Sequence, residues 1–208
     1  MADAYHHALV AQLADDRNSF DLRRTATDQA QRLVDLMSEL LSTSWREHRL
    51  YRSIESDADA DRLLLEFTAR IAGPPGSIAS AQSKPAAVRI ADLLVERARR
   101  DSSGGPSWKL MDDELFCELY RLFFADAITG FLAGVIAAKM SVLLPGLALI
   151  DPAGQLTRYL AEKIAEAMPT PCEEKAAERP DDPLVDVAHD LVTQTFDRWL
   201  DRALQDAA

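Results

Sequence analysis

Three groups of residues in this chain have the types and spacing to do chemistry. The first is Gly130 and Gly134, one helical turn apart in the run AITGFLAGVIAA at 127–138. That spacing lets two helix backbones approach closely, and so marks a face for self-association or for a neighbouring helix of the same chain. Asp126 stands one turn before them, a carboxylate among apolar neighbours. It must pair with a cation from another helix, keep its proton, or bond a backbone group freed by a distortion near Thr129 and Gly130. Gly130, Gly134 and Asp126 are the candidate interaction residues.

The second group is Arg46, Arg49 and Arg52, with Trp45 and Tyr51 interleaved, a concentration of cations in an acidic chain. Guanidinium forks suit phosphates and carboxylates, which makes these the candidate anion-binding residues. The same residues end a long helix, where cations complement the helix dipole without any ligand. The third is Cys172, which follows Thr170 and Pro171 close to a helix start. That position lowers a thiol's pKa and makes Cys172 a candidate reactive thiol. Glu173 and Glu174 oppose the effect, and no histidine lies near it in sequence to serve as a base.

No constellation in the chain, these included, reaches a catalytic signature. Bundle metal sites use Glu-x-x-His pairs, and the chain has none. His189 lies at the edge of a stripe formed by Asp186, Asp190, Asp197 and Asp201, which reads as a solvated face. A Gly-rich phosphate loop, a Gly-x-Ser-x-Gly elbow and a Cys-x-x-Cys pair are all missing from the sequence. The expectation is a protein with no cofactor, no metal and no enzymatic activity.

Composition narrows the partners. Over 208 residues the formal net charge is −11, which opposes binding to nucleic acid or to anionic lipid. Two cysteines, Cys117 and Cys172, do not amount to a disulfide framework. Residues 1–18 lack a basic segment followed by an apolar core, so the sequence reads as cytoplasmic. Asp126 and Lys139 bracket the cleanest apolar run at 12 residues, where a membrane span needs about 20. The partner expected is therefore another protein or a second copy. An alternative is a membrane-active bundle that releases a hairpin at about 122–150 on a trigger such as low pH. A weaker one is a small-molecule or phosphate sensor built on the arginines.

These residues must be positioned by helices, because period-3.6 patterns recur throughout and no strand pattern is present. A short helix is expected at 4–15 and a long amphipathic one from Asn18 or Ser19 to about Ser53. The inner stripe of the long helix holds Leu22, Ala26, Ala30, Leu33, Leu36, Met37, Leu40 and Ser44, with Gln29 as its one large polar member. A third helix, at about 59–72, stops at Gly73-Pro74-Pro75-Gly76. A loop to Ser83 precedes a fourth, with Pro85 in its first turn and Val88, Ala91, Leu94, Val95 and Ala98 inward.

The Ser102–Pro106 linker is a possible subdomain hinge. Asp112 or Asp113 caps a central helix running to about Leu143, and a further helix is expected at about 151–168. Thr170 and Glu173 have the spacing of a capping box, and Pro180 allows only about two turns after it. A last helix is expected at about 182–204. The long uninterrupted second helix leaves no short turn for a helix-turn-helix reader. The fold expected is all-α: a single domain over 1–208, a bundle of seven or eight helices around a buried central apolar helix.

Overall fold

The computed structural model describes residues 22–42, 57–74, 78–100, 111–143 and 168–206. Among them are six helices and no strand: α1 Leu22–Ser42, α2 Asp57–Ala72, α3 Ile78–Arg100, α4 Asp113–Leu143, α5 Pro171–Ala177 and α6 Leu184–Asp206. The described chain is all-α. The helices expected at 4–15 and 151–168, the linker at 102–106, and the end of the long helix beyond Ser42 lie outside the described residues.

α1 buries Ala26, Gln29, Ala30, Leu33, Val34, Leu36, Met37 and Leu40 and leaves Arg23, Arg24, Asp28 and Asp35 exposed. The stripe follows the helical period because apolar residues at i, i+3, i+4 and i+7 share one side. That side meets α2, α3, α4 and α6. Gln29 belongs there because its Nε2 donates to the Ala72 carbonyl at 3.1 Å, satisfying an oxygen at the C-terminal end of α2 that has no partner within its own helix. α2 ends where Gly73 takes φ +65° and its N–H bonds Ala69 O at 3.0 Å, the left-handed cap that glycine adopts without steric cost.

α3 corrects two expectations. It begins at Ile78, so Pro85 lies inside the helix and the segment up to Ser83 is not all loop. Proline removes one backbone bond there. Pro85 itself is exposed. Val88 is exposed, not inward. The buried arc of α3 is set by Ala86, Ala87, Ile90, Ala91 and Leu94, and Val88 falls beyond its rim.

α4 starts on Asp112, whose Oδ1 accepts the Leu115 N–H at 2.8 Å. Met111 before the cap and Phe116 in the first turn are both fully buried, at the two positions a hydrophobic staple uses. Phe116, Leu119, Tyr120, Phe123, Phe124, Ala127 and Ile128 then enter the core, with Phe124 against the rings of Tyr120 and Phe123. α4 packs on α1, α3 and α5. It is antiparallel to α3, because Arg97 pairs with Asp112 at one level and Arg89 with Asp126 further along.

Candidate functional site

At the junction of α4, α5 and α6 the structure brings Cys172 to Cys117. The two form a disulfide with Cα atoms 6.0 Å apart, across a sequence separation of 55. Closing a loop of that length is worth about 4 kcal/mol in the chain-entropy account. Cys172 in this state is therefore not a free thiol, and the pair is a cross-link that the sequence reading did not foresee. The capping box holds α5 in place. Thr170 Oγ1 accepts the Glu173 N–H at 3.2 Å, and Glu173 Oε2 accepts the Thr170 N–H at 3.0 Å.

Polar pairs surround the cross-link. Arg198 on α6 forks onto Glu174 on α5, Nη1 to Oε2 at 2.6 Å and Nη2 to Oε1 at 3.1 Å, and these bonds hold the guanidinium pKa above its ordinary value. Tyr120, one turn beyond Cys117, is fully buried and bonded to Thr195 on α6 at 2.7 Å. Thr195 Oγ1 donates onward to the Leu191 carbonyl at 2.8 Å, so the phenol is the donor to Thr195. Burial pushes the Tyr120 phenol well above the usual tyrosine range, because no solvent stabilises its anion. The turn between α5 and α6 is tied by Arg179, which bonds Asp182 at 2.5 Å and Asp190 at 2.7 Å, and by Lys175, which donates to the Asp182 carbonyl.

Further along α4, Asp126 receives Nη1 of Arg89 from α3, at 2.9 and 2.8 Å to its two oxygens. The carboxylate is thus held by a cation from another helix of the same chain. The helix runs unbroken through Thr129, Gly130 and Gly134, with no distortion for Asp126 to cap. At this level Phe124, Ala125, Ala127 and Ile128 are buried, while Asp126, Thr129 and Gly130 are half-buried. On the side of α4 that carries the small residues, Ala127 is buried and Gly130 half-buried, and the Thr129 hydroxyl is buried with no hydrogen-bond partner among the described residues.

The acidic face of α6 leaves Asp186, Asp190 and Asp201 exposed, while Asp197 and the neighbouring His189 turn toward α1. Asp197 pairs with Arg23 of α1 at 2.6 Å, and His189 is half-buried between Gln31 and Asp35 of α1, its Nε2 3.5 Å from Asp35 Oδ1. These side chains close the α1–α6 seam. Arg46, Arg49 and Arg52 lie outside the described residues. Among the described residues no group of three or more His, Cys, Asp or Glu is placed to hold a metal ion, and no helix is long and apolar enough to cross a membrane. No family model, curated protein or solved structure matches the chain.

Sequence reasoning missed Cys117 as the partner of Cys172 and Thr195 as the partner of Tyr120. The parity of two cysteines was the one signal for the first. For the second, a threonine on the inner side of an amphipathic helix was the available signal.

Proposed function

We propose that this chain is a non-enzymatic helical protein that works by binding another protein through the Asp126–Gly134 side of α4, with a second copy of itself as the first partner to test. In this reading the chain is one domain of seven or eight helices, with α4 as the central apolar helix. The observation that carries it is the half-exposure of Asp126, Thr129 and Gly130 on a helix otherwise closed at that level. Two glycines in a helix interior each forgo about 0.5–1 kcal/mol of helix stability relative to alanine. A close backbone approach by a partner offsets that loss.

Among the described residues, the polar side chains that could have done chemistry support the same reading, because they already have structural partners. Asp126 is held by Arg89, Cys172 by Cys117, and Tyr120 by Thr195. The net charge of −11 favours a protein partner over nucleic acid. Light scattering after size exclusion tests the proposal. A dimer that dissociates with Gly134→Leu while helicity is retained supports it. A strict monomer in which Gly134→Leu loses only stability assigns that face to the chain's own core.

A further inference from the structure

We infer that the Cys117–Cys172 disulfide is a redox latch that holds α5 against α4 and releases it on reduction, while α6 stays docked. α5 is tied down unevenly. Its polar bonds among the described residues run within its own cap, to α6 through Glu174 and Arg198, or to the turn through Lys175 and Asp182. Toward α4 the specific bond is the disulfide. A helix of seven residues does not hold itself, since isolated helices shorter than about 12 residues are marginal in water. α6, by contrast, keeps its own ties after reduction: Tyr120 to Thr195 on the α4 side, and Arg23 to Asp197 on the α1 side.

The two sulfurs are unequally accessible. Cys117 is buried on α4, while Cys172 is half-buried. A dithiol reductant therefore attacks at Cys172 Sγ: its thiolate forms a new S–S bond there, the Cys117–Cys172 bond breaks, and Cys117 leaves as a thiolate and takes up a proton. The second thiol of the reductant then displaces Cys172, which is protonated in turn, and the reductant departs as its own disulfide. Two electrons and two protons have passed to the cysteine pair. Release uncovers Cys117 and frees the buried Met168, Thr170 and Pro171.

Hydrogen exchange on the full chain, oxidised and after reduction with dithiothreitol, tests the latch. Amides 168–177 are expected to lose protection at least tenfold more than those of α1 and α6. Protection of 168–177 that falls only in step with α1 and α6, or does not fall, overturns the inference and makes the bond a plain staple. The Cys117→Ser/Cys172→Ser variant gives the same reading if reduction is incomplete. A second measurement equilibrates the folded protein with mixtures of reduced and oxidised glutathione. A bond that passes from oxidised to reduced within those mixtures supports the latch, and one that stays oxidised throughout overturns it.

Discussion

Removing either end of the buried Tyr120–Thr195 bond has unequal consequences. Tyr120 donates its phenolic hydrogen to Thr195 Oγ1, and Thr195 donates its own to the Leu191 carbonyl. Tyr120→Phe deletes the donor and keeps the ring against Phe124, at a centroid distance of 5.0 Å. Thr195 still has an acceptor, so the loss is one neutral hydrogen bond, about 1 kcal/mol. Thr195→Val instead leaves the phenol buried with nothing to donate to, and costs about 2–3 kcal/mol once that desolvation is added. The double variant has no orphan, so it resembles Tyr120→Phe and falls short of the sum of the singles. Urea denaturation of the four proteins gives the cycle, and additive single costs would refute the reasoning. An independent check comes from alkali. The folded-state pKa of Tyr120 lies above its unfolded value near 10, so the folded chain holds a proton the unfolded chain releases. Its contribution is complete below pH 10 and declines above it by up to about 1.4 kcal/mol per pH unit. Tyr120→Phe removes that slope. Identical alkaline limbs for wild type and variant would mean the phenol is not buried.

Gln29 and Gly73 give two further expectations. Gln29→Met gives up the bond to the Ala72 carbonyl but also removes Oε1, which is buried without a partner, so its stability in urea stays within about 1 kcal/mol of wild type. A loss above about 2 kcal/mol would mean that a water or another group satisfies Oε1. Gly73→Ala places a Cβ at φ +65° and against the Arg32 guanidinium, and it loses about 1–2 kcal/mol by thermal unfolding. Adding Arg32→Ala relieves the contact and leaves the backbone part, so full recovery would show that the left-handed conformation is not the cause.

Local signals in the sequence translate directly into this fold. The Thr170–Glu173 spacing became a capping box, Gly73 a left-handed stop, and Asp112 the cap of α4. Each depends on residues within one turn of one another, where the backbone supplies most of the geometry. The α1 stripe was also legible, Gln29 included, because burial follows the helical period. What was not legible is tertiary. Cys117 and Cys172 are 55 residues apart, and nothing local reveals that α5 docks beside the first turns of α4. Asp126 shows the boundary well. Its need for a cation could be read from its apolar neighbours, but that Arg89 supplies it follows only from the antiparallel register of α3. Pro85 erred the other way: a proline was read as a helix start, although α3 already begins at Ile78 and Pro85 lies inside it.

Whether the Gly130 side of α4 is an interaction face is tested most directly by the sign of one stability change. Gly130→Leu adds a bulky side chain at a half-buried helix position. If the face is open in the single chain, the substitution raises chain stability by about 0.5–1 kcal/mol through helix propensity while abolishing association in sedimentation equilibrium. If the face is filled by the chain's own helices, overpacking lowers stability by about 1–3 kcal/mol and association does not change, and that result would rule out an interaction face there.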